Sequence, residues 1–158
     1  MIGRASTSSE SGGFKAVSAC RKILGLADRI PFWLIQCAAR VAVATIFWNS
    51  AQSKLASWQV TQQLFAMEYH VPLLSPDIAA PLATATELAG SILLFFGLFA
   101  RLGALALLGV VAVIQLFIFP GNWAEHLLWS SLLLLIVARG AGKISLDYMI
   151  SRYFKTQG

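Results

Sequence analysis

The chain is expected to fold as an all-α membrane protein, a four-transmembrane-helix bundle with interfacial amphipathic helices at its N- and C-terminal ends. Three observations predict this. Hydrophobic residues make up 58% of the 158 positions and charged residues only 12%, and mean hydropathy is +0.72, whereas about a quarter of a soluble domain is charged. Four apolar runs, at 32–51, 78–99, 102–119 and 123–138, approach the roughly 20 residues that a helix needs to cross a bilayer. Lys and Arg gather beside alternate ends of those runs, as membrane topology requires.

The net charge of +5 forms neither a stripe nor a patch, which argues against a nucleic-acid partner and for the lipid bilayer. Cys20 and Cys37 lack CxxC spacing and give no disulfide framework or dithiol centre. Residues 1–12 are small, polar and Ser-rich and read as a disordered tail. Between 13 and 30, Phe14, Val17, Cys20, Ile23, Leu24 and Ala27 recur at helical spacing with Lys15, Arg21 and Lys22 between them, a basic amphipathic helix for the lipid surface. No apolar stretch precedes Ile30, so the first span is expected to act as an uncleaved signal anchor.

Pro31 starts the first span, the most polar of the four, with Gln36, Arg40, Thr45 and Asn49. Arg40, Phe47 and Lys54 are spaced by sevens and line roughly one side. After it, Trp58, Thr61, Phe65 and Tyr69 predict a short helix lying on or dipping into the far face, ended before Pro72. The second span places Ala83, Glu87, Gly90, Leu94 and Gly97 on one stripe, with Pro81 in its first turn. A turn at Ala100–Gly103 makes the second and third spans antiparallel neighbours, and Pro120-Gly121-Asn122 ends the third. The fourth span carries Glu125, His126 and Trp129 in its first half. Residues 140–158 form a second interfacial helix, with Ser145 as N-cap and Asp147 in its first turn. Counting Lys and Arg puts both termini in the cytoplasm and the loops at 52–77 and 119–125 outside, as in a multi-pass membrane protein.

Two groups of residues are candidates for chemistry. Arg40 and Glu87 are each isolated ionisable groups inside apolar runs, and their estimated depths differ by about 6 Å at 1.5 Å per residue. They are expected to form a buried ion pair, either a staple fixing helix register or a proton- or ligand-responsive site. The second group gathers at the outer end: Lys54, Asn49, Gln52, Gln115, Asn122, Glu125 and His126, with Glu68 and His70 from the loop. Lys54 and Glu125 are the expected pair there. These residues read either as a solvated rim or as a polar pocket for a quinone head group flanked by Phe47, Trp58, Phe65 and Trp129. His70 and His126 match no zinc or haem spacing, so no metal is assigned. No phosphate-binding glycine loop, nucleophile elbow or dinucleotide fingerprint occurs, and no catalytic residue is assigned.

These residues also form an ordered series of motifs: Arg40, Lys54, Val71-Pro72, Glu87-Leu88-x-Gly90, Gly97-Leu98-x-x-Arg101-Leu102, Asn122-x-x-Glu125 and the stretch from Gly140 to Asp147. In that order the chain resembles the DoxX family of small four-span bacterial membrane proteins over most of 31–152. One departure is Asn49-Ser-Ala-Gln-Ser-Lys54, where the family pattern has a small residue such as Gly two or three positions before the Lys. The resemblance implies a four-helix inner-membrane bundle associated with a redox system, such as a quinone-linked oxidoreductase or an oxidant-defence complex, as subunit or assembly partner. Two alternatives stand beside it: a carrier of small molecules or lipid components that uses Glu87, and a scaffold without ligand. The tight helix faces are compatible with a monomer or a homo-oligomer.

Overall fold

The computed structural model describes residues 21, 25, 29–69, 71 and 74–156. The expected tail at 1–12, most of the amphipathic segment at 13–30, and His70 lie outside the described residues. Among the described residues all regular structure is helical: α1 (Phe32–Ala56), α2 (Trp58–Met67), α3 (Pro76–Phe96), α4 (Ala100–Val113) continued by a π-helical turn (Ile114–Ile118), α5 (Trp123–Arg139) and α6 (Leu146–Lys155).

Nothing between 32 and 56 breaks a helix, since that stretch holds neither Gly nor Pro. α1 therefore runs five residues beyond the expected end, to Ala56. Its buried residues, Gln36, Ala39, Arg40, Val43, Ala44, Phe47 and Ala51, recur every three or four positions and form one stripe. Ser57 then interrupts the helix, and α2 folds back so that its buried Phe65 packs with Ala79 and Ala80 of α3.

α3 begins at Pro76, whose missing N–H costs nothing in the first turn. Pro81, expected in the first turn, consequently lies inside the helix. The helix ends in a Schellman arrangement: Gly97 is left-handed (φ 65°), and the Leu98 and Gly97 amides donate to the carbonyls of Leu93 and Leu94 at 3.0 and 3.2 Å. α3 and α4 lie so close that a Cβ on Gly90 would fall 2.6 Å from Leu107 Cγ.

One core joins these helices. Val43, Ala44 and Phe47 of α1 meet Leu94 of α3, Ala104, Leu107 and Val111 of α4, and Leu133 and Ile136 of α5. The opposite faces stay apolar and exposed, with Ile92, Phe95, Leu105, Leu128 and Leu134 each more than two-fifths accessible. An exposed apolar surface of that extent suits hydrocarbon and not water. Among the described residues, three helices, Phe32–Ala56, Pro76–Phe96 and Ala100–Ile118, are long and apolar enough to cross a membrane.

Candidate functional site

α1 carries two cations inward, and the rest of the chain treats them differently. Arg40 is 3% exposed. Its Nη1 donates to Ala141 O at 3.0 Å and its Nη2 to Ile144 O at 2.9 Å, while Gln36 Nε2 one turn away donates to the Arg139 and Gly140 carbonyls. The irregular segment after α5 thus supplies carbonyl acceptors that no helix has consumed. Gly97 closes the same corner, because a methyl group there would overlap the Arg40 guanidinium. The Asp147 carboxylate accepts from the Phe99 and Ala100 amides at 2.8 and 3.1 Å, and the Asp147 amide donates to Gly97 O at 3.0 Å. Asp147 therefore caps α4, while Ser145 Oγ caps α6 by accepting from the Tyr148 amide.

Glu87 does not meet Arg40, which corrects the expected ion pair. Lys54 Nζ donates to both Glu87 oxygens, at 2.9 and 2.7 Å, and to Ser50 Oγ at 2.8 Å. The contact between Arg40 and Gly97 puts Arg40 level with the end of α3, and Glu87 lies ten residues, about 15 Å, further along that helix. Lys54 is fourteen residues, about 21 Å, beyond Arg40 along α1, and a lysine side chain spans the remaining difference. Measuring depth from each span's predicted end placed Glu87 too near Arg40. The expected pairing of Lys54 with Glu125 is also corrected, since Lys54 is engaged with Glu87 and Glu125 is exposed.

The Lys54–Glu87 pair forms part of the wall of a cavity of about 730 Å³ bounded by α1 to α5. Glu87 is 1% and Lys54 19% exposed. Phe47, Phe65, Val110 and Trp129 give apolar surface, and Thr61, Tyr69, Thr86, Asn122, Glu125 and His126 give polar groups. Of the predicted outer-end residues, Lys54, Asn122, Glu125 and His126 reach this cavity. Gln115 stands behind it: Gln115 Nε2 donates to Pro120 O at 2.8 Å, and Oε1 meets His126 Nδ1. Asn49 and Gln52 are exposed and take no part in the cavity. Trp58 packs against the Phe65 cluster instead of lining the cavity. Tyr69, in the loop after α2, has its hydroxyl pKa raised by burial and secondarily by the Glu68 and Glu87 charges, so it remains a neutral phenol.

The π-helical turn explains how Gln115 reaches His126. The Phe119 amide donates to Ile114 O at 2.7 Å, five residues back, and the widened turn carries buried Gln115. Sequence reading grouped Gln115 with His126 but had no signal for the widened turn. It missed Glu87 as a cavity residue, although a Lys one helix away on the stripe shared with Phe47 was available as a partner.

The family model for DoxX matches residues 35–120, more than half of the chain. The chain belongs to the DoxX family. No curated protein and no solved structure matches it. The matched DoxX stretch contains Arg40, Lys54, Glu87 and Gln115, and it stops before His126 and the segment that receives Arg40. With its apolar helices, this DoxX chain is a multi-pass integral membrane protein in contact with the lipid bilayer.

Proposed function

We propose that this DoxX protein is a membrane subunit or assembly partner of a redox system in the bacterial inner membrane, and that its cavity holds a quinone. The observation that carries this reading is the buried Lys54–Glu87 pair on the wall of a cavity of about 730 Å³ whose other walls are mostly apolar. An apolar chamber with a few convergent polar groups suits a flat ring with a hydrophobic tail. In this reading all four core helices span the membrane. At 17 residues α5 is about 25 Å long, shorter than the hydrocarbon core, and the bilayer thins slightly to meet it. The basic flanks at Arg139, Lys143, Arg152 and Lys155 support cytoplasmic termini. The exposed apolar Met149, Ile150, Tyr153 and Phe154 on α6 support an interfacial position for that helix.

The test is extraction into lipid discs at native expression, with mass spectrometry of co-purifying proteins and extractable small molecules. A stoichiometric quinone or oxidoreductase subunit is the expected result; an unaccompanied protein that binds no added quinone would refute the reading. A carrier is the second reading, favoured by a mid-helix carboxylate whose hydrogen-bond partner among the described residues is Lys54. Intramembrane carboxylates of this kind couple protons to transport in pumps and carriers. There, Glu87→Gln abolishes pH-dependent uptake in proteoliposomes, and uptake unchanged by that substitution would exclude the carrier.

A further inference from the structure

The polarity of hydrogen bonding inside the cavity defines the ligand more closely, on the premise that the cavity is a quinone site. The Gln115 amide has one workable orientation, because its Nε2 donates to Pro120 O, which can only accept. Its Oε1 therefore faces His126 Nδ1, and two acceptors cannot share a hydrogen, so Nδ1 carries the proton. In the neutral imidazole that leaves Nε2 as a bare acceptor. His126 is 3% exposed and lines the cavity, and Nε2 has no partner among the described residues. Of the other deeply buried polar groups on the wall, the Glu87 carboxylate is likewise acceptor-only, and Thr61 Oγ1 already donates to Lys54 O. Lys54, the cation beside it, has its three donors taken by Glu87 and Ser50. The deeply buried polar groups of the wall thus offer acceptors and no free cationic donor, while the half-buried Tyr69 hydroxyl can donate or accept.

We infer that the cavity selects the hydroxyl-bearing form of its ligand, a dihydroxyaromatic ring, whose O–H donates to His126 Nε2. Gln115 is the positioning residue that holds the required tautomer, and the π-helical turn holds Gln115. A carbonyl in the same place puts two acceptors face to face. A methyl ether fills the volume without donating. Sites built to bond a hydroxyl discriminate strongly against analogues that lack it, because the buried acceptor is left unpaired.

The experiment uses the full chain in lipid discs under anaerobic conditions and measures calorimetric affinities for trimethylhydroquinone, trimethylbenzoquinone and the dimethyl ether of the hydroquinone. The hydroquinone is expected to bind about tenfold or more tightly than the other two. His126→Phe and Gln115→Leu are each expected to bring that ratio close to one. A purely structural role for Gln115 would change stability and leave the ratio intact. If quinone and hydroquinone bind equally, or the quinone binds better, the inference is overturned and the quinone reading stands. If none of the three binds, both fall. The wild-type comparison decides the matter even where a variant fails to fold.

Discussion

Arg40 and Lys54 are both inward-facing cations on α1, yet one ends among backbone carbonyls and the other on a carboxylate at a cavity wall. The Arg40 corner is closed. Its guanidinium meets the Ala141 and Ile144 carbonyls, Gly97 leaves no room beside it, and Asp147 joins the loop to the start of α4. The Lys54 end is open, with about 730 Å³ of space beside the pair. A buried charge is therefore weak evidence for function by itself. What separates the fastening from the site is the space beside the pair and not consumed bonding capacity, since the three Lys54 donors are taken while Arg40 Nε is buried without a partner among the described residues.

Substitutions at the two ends sharpen that contrast. The largest effect is expected from Gly97→Ala, which forces a side chain into left-handed backbone and against the Arg40 guanidinium. A loss of about 3 kcal/mol or more is expected in reversible unfolding in detergent, with no specific change in ligand preference. Glu87→Leu strands the Lys54 ammonium and is expected to cost about 3 kcal/mol. Adding Lys54→Met to it should restore most of the stability while ligand binding remains lost, a separation that the closed corner cannot produce. Asp147→Ala removes the acceptor from the Phe99 and Ala100 amides and is expected to cost about 1 kcal/mol, with faster hydrogen exchange confined to the first turn of α4. Asn49→Ala and Gln52→Ala, on the exposed face of α1, should each change stability by less than about 0.5 kcal/mol and leave ligand affinity unaltered.

The helices were legible because their signals are local. Apolar runs and the Ser145 cap act within a few residues and appear where their chemistry requires, whereas Gly97, read only as part of a packing stripe, stops α3 at Phe96, so the turn expected at Ala100–Gly103 lies at 97–99 and α4 already starts at Ala100. Pro81 was misplaced because Pro76 starts α3 earlier than the apolar pattern suggested. The site was legible in composition and not in pairing. Lys54, Gln115, Asn122, Glu125 and His126 do gather about one cavity, whereas Asn49 and Gln52 share their stretch of α1 but face away. Pairing depends on axial offset between helices, which loop geometry and close glycine contacts determine. At 1.5 Å per residue, a few residues of offset exchange Arg40 for Lys54 as the partner of Glu87.

Glu87 is paired with Lys54 and not with Arg40. Two double-mutant cycles for unfolding in the same detergent test it directly, one on Lys54→Met with Glu87→Leu and the other on Arg40→Met with Glu87→Leu. A coupling of about 2 kcal/mol is expected in the first cycle and less than about 0.5 kcal/mol in the second. The reverse order, with strong coupling to Arg40 and none to Lys54, would contradict that pairing.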